Sequence, residues 1–373
     1  MKRYVFQGMT RNTALQICGV TKHQYYYISN GKKQGAKPSQ TTKFKRKDEI
    51  LEVSNDLVIK EIQSVHKDPD TEYGYHKMTS HLKIAGFIIN HKKVYRLMDE
   101  ADLLKEKHEK PSKKRVKYRK VFPEQPLEVL EMDIKFVWIE EFKRHAYVLT
   151  VIDTFTRAVL HGYVSYSIKK ADVKKVWEHV IINHLQPNDC LGKNIQIEVR
   201  NDNDSRFSAK QIQAYFEENH LNQIFTHPYT PQENGHIESF HAILSQKLKQ
   251  YKFWSIQELE QVIILFYDKY NNKRLHSSIC DLPPNIFIEC WNKKLIEMKR
   301  DENKRTINFK LLIPYCQISD NTSLKCSSSQ DFVIPPLKAD EQNLYYTKMT
   351  STDTFSKLRH KTSPSFVPRT ANE

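Results

Sequence analysis

The sequence predicts an α/β fold for its larger part, a mixed sheet flanked by helices, preceded by small all-α modules. Three observations carry this. At residue 121 the texture changes from Lys-rich helical periodicity to β-branched and aromatic runs. From there the elements read βββ-α-β-α-β-α, an order that builds a covered mixed sheet. The basic excess ends at the same boundary: residues 1–120 hold 27 Lys/Arg against 13 Asp/Glu, and residues 121–373 hold 32 against 31. Most of the formal net charge of +15 therefore lies in the first third of the 373 residues. Charge gathered in one region favours a polyanion partner over mere solubility, most simply nucleic acid.

Residues 1–50 read as a helix-turn-helix and a basic linker. Ala14, Leu15 and Cys18 supply an apolar face, Gly19 the turn, and Thr21 an N-cap for a second helix. Lys22, His23 and Gln24 would then open that helix, where base edges are usually met. A plain helical hairpin remains the alternative. Residues 31–49, with two glycines, a proline and a basic run, read as linker. Residues 55–104 read as three helices, the last capped by Asn90 with Val94, Leu97 and Met98 on one face. Lys92, Lys93 and Arg96 share its other side, which suits DNA and equally suits dimerisation. Residues 105–120 carry nine basic and two acidic residues around one proline. They read as an extended tether that gathers phosphate contacts, Lys113, Lys114 and Arg115 among them.

In the core, residues 127–141, 145–157 and 158–167 read as an antiparallel meander. An amphipathic helix follows at 169–185, a strand at 194–204, a helix at 208–221 and a short strand at 222–227. A Pro/Asn/Gly loop then leads into the helix of "TPQENGHIESFHAILSQKL" (230–248), and another helix covers 255–270. The core spans 121–290. Residues 291–373 read as a partly disordered C-terminal extension, with Ser/Thr/Pro clusters and no glycine after Gly235.

The six cysteines are scattered without a CxxC pair, which argues against a zinc site or a secreted disulfide framework. No signal-peptide core and no run of eighteen apolar residues occurs, so a cytoplasmic, reducing compartment and no membrane are expected.

Three carboxylates stand out. Asp133 lies in mid-strand between Met132 and Ile134, where a charge is costly unless something uses it. Asp202 lies at a strand end, where α/β sheets keep their chemistry. Glu238 opens the helix after the Pro/Asn/Gly loop. Converging carboxylates repel, and a divalent cation is the natural counter-charge. An all-oxygen ligand set favours two Mg²⁺ or Mn²⁺ ions, which clamp an in-line attack on phosphorus.

"MDIKFVWI", "RNDNDSRF", "TPQENGHIESFH" and "YNNKRLHSSICDLPP" resemble the retroviral-integrase-like core of bacterial insertion-sequence transposases of the IS-three family. "YGYHKMTSHLKIAGFIINHKKVYRLMDEADLL" resembles that family's helical DNA-binding insert. The resemblance covers roughly residues 10–290, with four motifs in order and the family's spacing of 35 residues between Asp202 and Glu238. It implies a ribonuclease-H-like five-stranded mixed sheet and an Asp–Asp–Glu metal triad of Asp133, Asp202 and Glu238. It also implies cut-and-join chemistry on the terminal inverted repeats of the mobile element and on target DNA, performed by a homo-multimer in the bacterial nucleoid. Two departures leave open a catalytically inactive DNA-binding regulator: Asp204 replaces a glycine of the second motif, and Ser245 stands where the family carries a basic residue. A structure-specific nuclease is the third alternative. Asn234 and Lys249 are the remaining expected DNA contacts, Lys249 as the substitute for the missing basic residue. Asp153 is expected to pair with Arg157, and His236 and His241 to hold no zinc.

Overall fold

The computed structural model describes residues 2–27, 38–46, 49–104, 121–192, 196–227 and 231–324. Lys113, Lys114 and Arg115, and the chain after 324, lie outside the described residues. The chain opens with α1 (Lys2–Phe6), α2 (Arg11–Ile17) and α3 (Lys22–Tyr26). Gly19 takes φ +62° in the turn between α2 and α3, a conformation that costs glycine little. Thr21 caps α3: its hydroxyl accepts from Gln24 N at 3.2 Å, and Gln24 Oε1 accepts from Thr21 N at 2.9 Å.

The next module is not all helix. Residues 41–46, expected within a linker, form β1 (Thr41–Arg46), which pairs antiparallel with β2 (Glu49–Ser54) and on its other edge with β3 (Phe87–Ile88). Thr42, Phe44 and Val53 point inward and are buried. The outward lysines, Lys43 and Lys45, disguise this period-two pattern as a basic run. Three helices complete the module: α4 (Asn55–His66), α5 (Tyr75–Ile84) and α6 (His91–Glu100). They share a core of Val58, Ile62, Met78, Leu82, Val94, Leu97 and Met98. Gly86 ends α5 at φ +102°, and a Cβ there would lie 2.8 Å from the Lys45 carbonyl oxygen, so the strand can approach only a glycine.

The sheet of the core has the order β6-β5-β4-β7-β8. Its strands are β4 (Val129–Ile139), β5 (Arg144–Asp153), β6 (Val159–Ser165), β7 (Ile197–Asn201) and β8 (Leu221–Phe225). The first three form the expected antiparallel meander, while β7 and β8 run parallel to β4. Four helices cover it: α7 (Lys170–Val180), α8 (Lys210–Glu218), α9 (Gly235–Leu248) and α10 (Ile256–Asn272). Even-numbered β4 residues Leu130, Met132 and Ile134 join the core with Trp177 of α7 and Phe216 of α8. Odd-numbered Val137 and Ile139 join Ile237, Phe240 and Leu244 of α9 and Ile263 of α10. Alternation along one strand thus serves two opposite cores. Among the described residues no helix is long and apolar enough to cross a membrane.

After α11 (Pro284–Asn292) the described part of the C-terminal extension carries further structure. β9 (Ile296–Asp301) and β10 (Thr306–Leu311) form an antiparallel hairpin, followed by α12 (Ile318–Asn321). Phe309 holds the hairpin down, with its ring 4.9 Å from Phe287 and 5.1 Å from Phe155. Few apolar residues mark these strands because only one side meets protein.

The module of α4–α6 rests on the core through its acidic turn. Asp70 is buried and pairs with Lys247 of α9 at 2.8 Å, and Asp68 pairs with Lys269 of α10 at 2.8 Å. Leu275 N donates to the Tyr73 hydroxyl at 3.1 Å, and Ser80 Oγ donates to Asp281 at 2.8 Å. Lys247 therefore points away from the Glu238 side of α9, as helical spacing requires.

Candidate catalytic site and nucleic-acid interface

Glu131, Asp133 and Lys135 alternate onto the β4 face that α9 covers. Met132 and Ile134, which made Asp133 look enclosed in the sequence, point into the other core. Asp133 is only half-buried. On the neighbouring parallel strand β7, Arg200 lies beside Glu131. Asp202 follows two residues later and so comes level with Asp133. Asp202 is open to solvent, yet surrounding atoms strip enough water to push its carboxyl above the usual range. A hydrogen bond from Asp204 N opposes this, and the charges of Asp133 and Asp204 reinforce it.

Helix α9 is tied across β4 at two points. Ile237 N donates to Glu131 Oε2 at 2.7 Å, and His241 Nδ1 lies 3.2 Å from Asp133 Oδ2. Ile237, Phe240, His241 and Leu244 face down and are buried, which leaves Glu238 exposed on the helix flank. The structure thus brings Asp133 and Asp202 into electrostatic contact and carries Glu238 on the helix fastened above Asp133. Among the described residues no three His, Cys, Asp or Glu side chains form a metal-holding group.

Sequence reasoning missed Glu131 and His241. Glu131 is fully buried, and burial pushes its carboxyl up to about 7 against the pull of Ile237 N, Arg157 and Arg200. It caps α9 from another strand, since Asn234, the residue at the cap position, makes no side-chain cap. The available signal was its i−2 spacing from Asp133 in a strand. His241 was signalled by its i+3 spacing from Glu238 on a helix.

Other expectations are corrected. Asp153 does not take the Arg157 side chain; its buried carboxylate accepts from Phe155 N, Thr156 N and Thr156 Oγ1, closing the β5–β6 turn. Arg157 instead donates to His236 Nδ1 and to Ser278 Oγ. Asp204 is matched by Arg206, whose Nε donates to it at 2.8 Å, so it adds little uncompensated charge beside Asp202. Ser245 turns its hydroxyl onto the His241 carbonyl and is not free for a phosphate.

The expected DNA contacts divide. Lys22, His23 and Lys92 are exposed, and Gln24 serves the α3 cap. Lys93 Nζ donates to the Thr41 carbonyl and Arg96 to that of Ser39, so they brace the start of β1 and the residue ahead of it. Asn234 is buried with its Oδ1 unpaired. Lys249 is exposed at the end of α9. Burial holds the Lys135 ammonium below its ordinary range, with Asp133 opposing and the charge of Lys249 adding to the effect. Lys249 therefore has a cationic neighbour on the face of Asp133. Lys249→Ala is expected to weaken binding of element-end DNA about eightfold at 0.1 M salt, the value of one phosphate contact. Lys249→Arg should retain it. Titration of both variants checks this, and wild-type affinity in Lys249→Ala would mark a merely solvated lysine.

This geometry defines a class, a ribonuclease-H-like integrase core behind a small helical module. Comparison with known families agrees. Residues 123–231 and 219–284 match models described as integrase core domain, and residues 54–111 match an HTH-like domain. The chain is 28% identical over 217 residues to a 39.2 kDa protein of insertion element IS476 from Xanthomonas euvesicatoria. That match covers 58% of this chain and 60% of the relative, less than two thirds of its length. It is 24% identical over 239 residues to the transposase InsK of insertion sequence element IS150 from Escherichia coli K12, covering 61% of this chain and 81% of that protein. The catalytic core domain of BIV integrase is 19% identical, with coverage of 45% and 98% and a TM-score of 0.34, too low to bear on the assignment. The chain thus carries integrase-core matches behind an HTH-like one and is similar to proteins of bacterial insertion elements, an arrangement consistent with the IS-three family of transposases.

Proposed function

We propose that the chain is an active DNA transposase. It binds the terminal inverted repeats of its own element, cuts a strand at each end and joins the freed 3′-hydroxyl to target DNA. The reading rests on Asp133 within β4 and Asp202 one residue past the end of the neighbouring parallel strand β7, with Glu238 on the helix fastened over Asp133. The donor set is oxygen only, which suits a hard divalent cation. Asp133, Asp202 and Glu238 would hold two Mg²⁺ or Mn²⁺ ions, which supply activation of the attacking oxygen and stabilisation of the leaving one.

The protein's own groups have defined tasks. Asp133 and Asp202 present their oxygens from the central strand β4 and from just past the end of β7. His241 holds the Asp133 carboxylate in orientation, and Glu131 fixes where α9 starts. The basic first third, including the exposed helix-turn-helix residues Lys22 and His23, supplies affinity for the DNA. A homo-multimer on two element ends, in the cytoplasm at the nucleoid, completes the proposal.

A strand-transfer assay tests it, using the full chain and a labelled duplex that carries the element's own end. Joined product is expected with Mg²⁺ or Mn²⁺, none with a chelator that strips all divalent ions, and undiminished product with a zinc-selective chelator. Binding without product would show an inactive regulator, and nicking without joining a nuclease.

A further inference from the structure

Glu238 faces one flank of α9. On the other flank lies a cavity of about 670 Å³ that the carboxylate chemistry does not use. Its walls are the β5–β6 turn, the first turns of α9, residues 277–280 and strand β10. Lining side chains that carry N–H or O–H groups include Arg157, His236, Ser277, Ser278 and Arg305. No carboxylate is among the lining residues.

The internal hydrogen bonds sharpen this bias. A guanidinium can only donate. His236 Nδ1 must therefore accept from Arg157, which puts the imidazole proton on Nε2 and makes that atom a donor. Ser278 Oγ accepts from Arg157 Nε at 3.2 Å, so its own hydroxyl hydrogen is available onward. Both links pass the Arg157 charge on as further donors. Arg305 approaches from the hairpin side, where its guanidinium also sits 5.7 Å from the Phe122 ring centroid.

We propose that this cavity seats a phosphate of the DNA backbone, beside the carboxylate site and separate from it. A built set of donors with two guanidiniums and no acid selects an anion. The anion is a DNA phosphate because the cavity continues the basic part of the chain. Val121 lines it and is joined directly to residues 105–120, with their nine basic side chains. A strand laid over the start of α9 would meet Glu238 on one flank and these donors on the other. The inference rests on the transposase reading.

The test uses the full chain and a duplex carrying the element's end, titrated at several salt concentrations. Arg157 also faces buried Glu131, so its removal could disturb the fold, and Arg305 and Ser277 are the better probes. The double variant Arg305→Ala/Ser277→Ala should reduce the steepness of log affinity against log salt by about 0.9 and lower affinity about eightfold at 0.1 M salt. Arg305→Lys should restore most of the slope. Lys310→Ala, an exposed cation on the same strand outside the lining, should leave it unchanged. A wild-type slope in the double variant, or an equal loss in Lys310→Ala, overturns the assignment. A wild-type chain that does not bind the duplex would overturn the transposase reading itself.

Discussion

Asp133→Asn, Asp202→Asn and Glu238→Gln are each expected to lower strand cleavage and joining by roughly a thousandfold or more, on the order of 4 kcal/mol of transition-state stabilisation. DNA binding should survive, because the basic excess lies in residues 1–120 and not around the three acids. Although Asp202 is open to solvent, neighbouring atoms strip water from its carboxyl and hold it above its usual range in the folded chain, with the charge of Asp133 adding to the effect. Its ionised form therefore opposes folding, and Asp202→Asn should leave the thermal midpoint unchanged or raised. A variant that loses activity while its stability holds or rises has lost chemistry, not fold. Normal joining by any of the three would sink the triad assignment.

Glu131→Ala should destabilise the fold through α9. It removes the cap of that helix, worth about 1 kcal/mol, and the carboxyl that the buried Arg157 faces. Glu131→Gln keeps an oxygen for Ile237 N and should lose less. Denaturant midpoints of the two variants give the comparison, and equal stability of Glu131→Ala and wild type would refute the anchoring role. If Glu131 also sets the position of Glu238, the Gln variant should retain strand joining better than the Ala variant when both are assayed below their unfolding midpoints.

The order of the core was legible because each of its elements has a strong local pattern. β5 carries an apolar run from Ala146 to Leu149, and α7 and α8 each bury a regular stripe. The strands β1, β2, β9 and β10 were not legible, since one face of each meets water and carries lysines or acids. In "TTKFKR" the inward residues are Thr42 and Phe44, and the charges between them dominate any reading of composition.

The site divides along the same line. Asp133, Asp202 and Glu238 could be singled out one at a time, by an acid in an apolar strand, an acid at a strand end and an acid at a helix start. Each is a local signal. The partners of Glu131, His241 and Arg157, and the Asp70–Lys247 pair, could not be read from local spacing, because each partner is far away in the chain. Ile237 is 106 residues from Glu131, and Lys247 is 177 from Asp70.

By itself, then, the sequence determined the element order, the charge division at residue 121 and the acids available for chemistry. Those follow from periodicity and composition, which a chain carries locally. Only the tertiary structure decided which face of β4 meets α9, which buried acid anchors that helix, and which cations are tied up in docking the helical module. Such choices depend on burial and on partners brought together by packing, and neither exists until the sheet and its helices have closed on each other.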